Sequence, residues 1–268
     1  MKDLIIVTGG AGFIGTNLIK LLLKKTKYKI LSIDNYSTGN KKNHIKNLRI
    51  KYIKSHTKNI TKVLKLKKNK IKTIFHFGEF SRIFQSFSKM NECISSNLIG
   101  THEVFNFCFI NKIKLIYSAT SASLGNNGND KNLSPYAFTK AKNLEMLQNL
   151  KKWFRFKFEI IYFYNVYGQN QISKGDMATV IGIFENQYKN KKPLTVVKPG
   201  TQTRRFTHIT DTVNACYYAF KKNKCRHYSI SHKNSHSILK VAKMFEHKIK
   251  YLPRRPGERY SSALTSQN

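Results

Sequence analysis

A chain of 268 residues with 40% hydrophobic content can bury a full core in one large α/β domain, with room for a smaller appended lobe. No apolar run is long enough to span a bilayer, which excludes a helical membrane protein. The 49 Lys+Arg against 13 Asp+Glu leave a net charge of +36, but the excess is nearly all Lys, accompanies abundant Asn and Ile, and is spread from Lys20 to Lys250. With no RNA- or DNA-reading motif beside it, this reads as compositional bias rather than as a nucleic-acid surface, although such a field draws anionic substrates inward.

The first apolar strand starts almost at the first residue, so no secretory leader is expected. Cys93, Cys108, Cys216 and Cys225 are scattered without C-x-x-C pairs or a histidine cluster. They predict buried small side chains in a reducing cytoplasm and no metal site.

In chain order, Leu4 to Val7 form an apolar, largely β-branched run that predicts a buried strand. Gly9, Gly12 and Gly15 follow at the spacing G-x-x-G-x-x-G, with Phe13 and Ile14 between the last two. The run from Leu18 to Leu23 then reads as a helix. Strand, glycine turn and helix start are what a pyrophosphate needs: the turn lets backbone approach the phosphates, and the helix N–H groups point at the charge. A second strand, Ile30 to Ile33, ends in Asp34, about 20 residues past the last loop glycine, where a carboxylate accepts bonds from ribose hydroxyls. Asp34 argues for NAD over NADP because it repels a 2′-phosphate; Lys41 and Lys42 are the nearby cations that weigh against that preference. A polar loop opens with Asn35.

A weak strand, Leu48 to Ile53, precedes Asn59, whose amide is a candidate partner for adenine. Ile71 to Phe77 predicts a fourth strand, with His76 read as a packed core residue. Asn91 to Ile110 has helical spacing, and Lys114 to Ser118 and Glu159 to Phe163 predict two more strands. Strands alternating with helices imply a Rossmann-type, doubly wound parallel sheet with its ligand at the strands' carboxyl ends. From Gly168 the pattern changes to a Gly/Gln/Asn-rich loop, a helix over Ala178 to Tyr188 and a short strand over Leu194 to Val197. This predicts an NAD-binding domain over residues 1–165 and a smaller C-terminal substrate-binding lobe over 166–268, with a soft boundary that the chain recrosses.

Ser134-Pro135 opens a further helix, since proline suits a first turn. Tyr136 and Lys140, four residues apart, share one face of it. A phenol near pKa ~10 is a poor base at neutral pH, and a nearby ammonium favours its ionised form. Upstream, Ser118 to Gly125 supplies hydroxyls able to bond Tyr136 and a substrate alkoxide. An intact set of this kind also argues against a purely nucleotide- or RNA-binding protein on the same scaffold.

With these elements the chain resembles the extended short-chain dehydrogenases/reductases of the nucleotide-sugar epimerase/dehydratase family, in a pattern similar to UDP-glucose 4-epimerases. The likeness runs through Thr8 to Gly15, Asp34 to Gly39, Asn97 to Thr101, Thr120, Tyr136/Lys140, Asn165 to Gly168, Gly200 to Asp211 and Arg255 to Glu258. It implies Thr120, Tyr136 and Lys140 as the catalytic set and Asn97 beside NAD. It also implies Asn165, Arg204 and Arg255 on the nucleotide diphosphate, which suits arginine forks; Arg205 competes with Arg204 for that role. Similar dehydratases carry Asp-Glu directly after the threonine, where this chain has Ser121 and Ala122, so epimerisation at C4 of a UDP-sugar is expected over dehydration. Ser262, seven positions past Arg255, is a small residue that would admit an N-acetyl group, so UDP-N-acetylglucosamine is expected beside UDP-glucose. Similar enzymes are homodimers.

Three departures stand out. Tyr162 occupies a place where relatives carry Arg. Gly78-Glu79-Phe80-Ser81-Arg82 replaces the usual Ala-Ala run, offering Glu79 as an extra acid/base and Arg82 as a phosphate ligand. The sequence ends at Asn268, soon after Arg255, where relatives continue through another helix, which implies a minimal lobe or a shortened sequence.

Overall fold

The computed structural model describes residues 3–124, 132–222, 224–258 and 260–261. Six strands run through the first part: β1 (Leu4–Thr8), β2 (Lys29–Asp34), β3 (Ile50–Lys54), β4 (Ile71–His76), β5 (Lys114–Thr120) and β6 (Phe158–Phe163). A seventh, His227–Ser229, joins β6, and the order across the sheet is that strand, then β6-β5-β4-β1-β2-β3. Every neighbouring pair is parallel. The order reverses between β1 and β4, and a crevice therefore opens at the carboxyl ends of those two strands.

Alternation along the strands separates two cores. Ile6, Leu31, Ile74 and Leu115 face a layer holding Val104, Cys108 and Leu147. Ile5, Val7, Phe75 and Ile116 face the opposite layer, where Leu18, Ile19 and Leu22 of helix α1 (Phe13–Lys25) meet Val213 and Cys216. Burial on both faces is why these strands read as nearly continuous apolar runs. The predicted helix over Asn91 to Ile110 is present as Met90–Ile94 and Thr101–Ile110 joined by a π-helical turn, Ser95–Gly100.

Past β6, a third core of Phe184, Leu194, Val196, Phe206, Ile238 and Val241 forms beside the crevice. Its strand Leu194–Val197 pairs in parallel with Ile249–Leu252. Between those segments the chain returns to the main sheet through the helix Ile209–Lys221 and the strand His227–Ser229. Glu159, fully buried on β6, anchors that return by accepting backbone N–H bonds from Lys224, Cys225 and Arg226 at 2.8, 3.1 and 3.0 Å. The return strand was not expected from its sequence, because three residues of mixed polarity carry no periodic signal. No helix among the described residues is long and apolar enough to cross a membrane.

Candidate active site

The glycine turn after β1 is packed so that side chains have no room. Gly9 has φ +69°, and a Cβ there would sit 2.8 Å from the Phe77 carbonyl carbon. A Cβ on Gly15 would sit 2.2 Å from the Gly9 carbonyl oxygen. α1 starts right after Gly12 with no side-chain cap and no acid in its first turn. Its leading N–H groups are thus left for an anion, which is the fit a dinucleotide pyrophosphate requires. At the far end of the turn, Asp34 Oδ2 accepts the Ala11 N–H at 2.9 Å and Oδ1 the Tyr36 N–H at 2.8 Å. Burial raises its pKa and those backbone bonds oppose the rise. Lys41 and Lys42 are exposed and do not line the crevice, so neither of these two cations stands beside Asp34 there to favour a 2′-phosphate.

The crevice has a volume of about 650 Å³. Gly9, Gly12, Phe13, Ile14, Gly15, Asp34, Asn35, Thr120, Tyr136, Lys140, Asn165, Arg204 and Arg255 all line it. Residues separated by most of the chain thus share one cleft. Asn59 and Asn97 do not reach it. Asn59 is exposed where a short helix begins. Asn97, fully buried in the π-helical turn, clamps the backbone of Phe80: its Oδ1 accepts the Phe80 N–H at 2.7 Å and its Nδ2 donates to the Phe80 carbonyl at 3.1 Å. Asn97 thus holds the loop whose Phe80 lines the crevice. Ser262 lies outside the described residues.

Thr120 closes β5, and Tyr136 enters the helix Pro135–Phe154, capped by Ser134 Oγ accepting the Ala137 N–H at 3.1 Å. Tyr136 and Lys140 are both buried. Burial pushes Tyr136 up to about 12, against a hydrogen bond from Thr120 that pulls it down. Burial is the leading cause, and the charge of Glu79 adds a smaller rise. The Glu79 carboxylate forms a buried ion pair with the Lys140 ammonium, and the ammonium's other bonds go to the Ser118 carbonyl and, at 3.1 Å, to the Tyr117 hydroxyl.

Glu79 is well held. Its Oε1 accepts hydroxyl bonds from Thr101 at 3.0 Å and Tyr117 at 3.1 Å. Behind Thr101 stands His76, with Nε2 2.9 Å from Thr101 Oγ1 and Nδ1 2.8 Å from Thr8 Oγ1. Because Thr101 donates to Glu79, it accepts from Nε2–H, and Thr8 then donates to Nδ1; this network assigns a neutral Nε2–H imidazole. Burial lowers the pKa of His76 to about 4, in agreement. His76 is a core residue, as expected, but one wired to the site.

Arg204, which also lines the crevice, is buried and its Nη2 lies 2.6 Å from Glu258 Oε1. Arg205 turns the other way, its Nη1 donating to the carbonyls of His232, at 3.1 Å, and Lys233. This separates the two neighbours that sequence left ambiguous. Asn165 adopts φ +36° and donates through Nδ2 to the Arg205 carbonyl at 2.8 Å. The Arg255 guanidinium rests 5.1 Å from the ring centre of Phe84. Arg82 does not stand free for a phosphate: its Nε donates to the Met177 carbonyl at 3.0 Å and its Nη1 to the Ser81 carbonyl at 2.8 Å.

Comparison with known proteins agrees with this geometry. The chain is 30% identical over 255 residues to an ADP-L-glycero-D-manno-heptose-6-epimerase of Brachyspira hyodysenteriae, covering 90% of this chain and 79% of the relative. A UDP-glucuronic acid 4-epimerase from Bacillus cereus, solved with NAD and a fluorinated UDP-sugar, superposes with TM-score 0.87 at 27% identity, covering 98% of this chain and 90% of that one. The UDP-glucose 4-epimerase of Thermotoga maritima shares the fold with TM-score 0.88 at 21% identity, covering 98% and 89%. A family model matches residues 5–231, and with the glycine turn, Asp34 and the threonine–tyrosine–lysine set in one cleft, the chain belongs to the NAD dependent epimerase/dehydratase family.

Proposed function

We propose that this protein is an NAD-dependent nucleotide-sugar 4-epimerase acting on a UDP-sugar of the UDP-glucose or UDP-N-acetylglucosamine type. What supports the reading is that one cleft is lined by the glycine turn and Asp34, by Thr120 and Tyr136, and by Arg204 and Arg255. The glycine turn and Asp34 hold the dinucleotide. Arg204 and Arg255 grip the diphosphate, with Asn165 beside them. Thr120 orients the sugar's C4 hydroxyl through the hydrogen bond it shares with Tyr136. Tyr136 takes the hydroxyl proton as the carbon is oxidised and returns it on the way back. NAD, when bound, supplies the hydride acceptor and donor. Lys140 keeps the floor of the cleft fixed through its bonds to Glu79, Tyr117 and Ser118.

Epimerisation is favoured over dehydration by the acids available. Among the described residues, four acids line the cleft: Asp34, Glu79, Asp176 and Glu258. Asp34 is held by backbone N–H groups, Glu79 by Lys140, and Glu258 by Arg204, while Asp176 is exposed on the loop before the helix Val180–Lys189. Ser121 and Ala122, after Thr120, cannot move a proton at neutral pH. Elimination of water needs a second acid/base pair beside the base, and none of these acids is engaged there.

Incubation with a panel of nucleotide sugars, followed by NMR, tests the reading. A C4 epimer formed without loss of water is the expected product. A 4-keto-6-deoxy sugar, an epimer at another carbon, or no product from any UDP-sugar would overturn it. Light scattering of the same sample checks for the homodimer that the resemblance implies.

A further inference from the structure

We infer that Phe84 is a positioning residue for the nucleotide diphosphate: its ring is the platform that holds the Arg255 guanidinium in the cleft. The inference rests on the proposed reading of Arg255 as a diphosphate ligand.

Among the described residues four cations line the cleft, Arg82, Lys140, Arg204 and Arg255, and they are held in different ways. Lys140 and Arg204 are ion-paired with Glu79 and Glu258, and Arg82 is clamped on the Met177 carbonyl. For Arg255, no carboxylate among the described residues lies within ion-pair distance. Its guanidinium carbon lies 5.1 Å from the Phe84 ring centre instead, inside the ~6 Å over which a ring face attracts a cation. A carboxylate would hold the arginine by occupying its N–H fork and neutralising its charge, whereas a ring face leaves both available to a phosphate. A long side chain also loses rotamer freedom when it grips a ligand, and a platform that limits that freedom beforehand strengthens binding.

The ring is not there to fill a core. Phe84 is 42% exposed and joins no apolar core among the described residues, while its neighbour Ile83 packs against the cluster around Tyr136. Both sides of the contact are also tied to the helix that carries Tyr136. Ser86, fully buried, donates through Oγ to the Ile83 carbonyl at 2.6 Å and accepts the Tyr136 N–H at 3.2 Å, which anchors the turn bearing Phe84 to the start of the helix Pro135–Phe154. On the other side, Gly257 has φ +70°, and a Cβ there would sit 2.9 Å from Phe87 Cε2, 3.0 Å from Ile83 Cγ2 and 3.1 Å from the Leu133 carbonyl oxygen. The backbone two residues past Arg255 thus lies directly on the same turn. One short segment, Ile83 to Phe87, therefore sets the place of Arg255 relative to Tyr136.

The test is titration calorimetry of UDP into the NAD-loaded protein, which reads binding without turnover and stands whichever sugar product is formed. Phe84→Leu keeps an apolar side chain but removes the ring, and should weaken UDP about threefold to fivefold. Phe84→Tyr, which keeps the ring face, should bind UDP as the unaltered protein does. Arg255→Met should weaken UDP about tenfold. Adding Phe84→Leu to Arg255→Met should bring no further loss, because the ring then has no cation to hold. Unchanged binding in Phe84→Leu, an equal loss in Phe84→Tyr, or additive losses in the double variant would overturn the inference. UDP bound as tightly by Arg255→Met as by the unaltered protein would instead remove Arg255 from the diphosphate, and the inference with it. In turnover of the nucleotide sugar, Phe84→Leu should raise KM by the factor seen for UDP, with a smaller change in kcat.

Discussion

The Lys140 ammonium sits on the Glu79 carboxylate, and the two side chains are 4% and 3% exposed. The carboxylate's other oxygen is bonded by Thr101 and Tyr117, so the pair is satisfied on both sides. Breaking such a pair by removing one partner leaves an uncompensated buried charge, which costs about 3–5 kcal/mol. Glu79→Ala should therefore lose stability in that range by urea denaturation, and Glu79→Gln with Lys140→Met should lose clearly less. Equal losses would show that packing, not charge, dominates the position.

Tyr136→Phe keeps the ring in its cluster with Phe80, Cys93 and Ala137 and removes only the hydroxyl. Turnover should fall by roughly 10²–10⁴-fold, the usual range for loss of a positioned acid/base. NAD content of the purified protein should be unaltered, measured by absorbance after release.

Gly15→Ala places a methyl 2.2 Å from the Gly9 oxygen and 2.7 Å from the Gly10 Cα, both backbone atoms. The turn must open to accept it, at about 1–3 kcal/mol. The expected outcome is a lower melting temperature and loss of co-purifying NAD.

Arg255→Ala removes a cation from the lining of the cleft while leaving Tyr136 and Thr120 in place. KM for the nucleotide sugar should rise tenfold or more with a smaller change in kcat, the pattern of lost ground-state binding. Steady-state kinetics at fixed NAD check it.

His76 supplies a pH signature. Its pKa in the folded protein is lowered to about 4 from an ordinary value of 6.5. Between those values the unfolded chain binds the proton and the folded chain does not. Stability is thus fully present above pH 6.5 and is lost as pH falls through 4, by roughly 3 kcal/mol in all. Chemical denaturation from pH 7 to pH 4 should show this slope, and His76→Asn should flatten it.

Much of the fold was legible in local pattern. β1, β2, β4, β5 and β6 lie where apolar runs predict them, since strands buried on both faces need uninterrupted hydrophobic residues. The nucleotide turn and the Tyr136–Lys140 face were legible for a similar reason: each depends on spacing within a few residues. The strand His227–Ser229 was not, because its stability comes from pairing with β6 and from Glu159 bonding the preceding loop.

Residue types and short-range spacing by themselves determined the scaffold, the cofactor class and the shared helix face of Tyr136 and Lys140; the choice of Thr120 among the hydroxyls before it came from the resemblance. Only the tertiary structure decided which neighbours those groups have. It put Arg204 and not Arg205 in the lining of the cleft, left Asn59 and Asn97 out of that lining, and paired Lys140 with Glu79. Spacing along a helix determines which side chains share a face. Electrostatics depends on distance and burial among residues far apart in the chain, and Glu79 meets Lys140 only after β4, β5 and the helix Pro135–Phe154 have packed together.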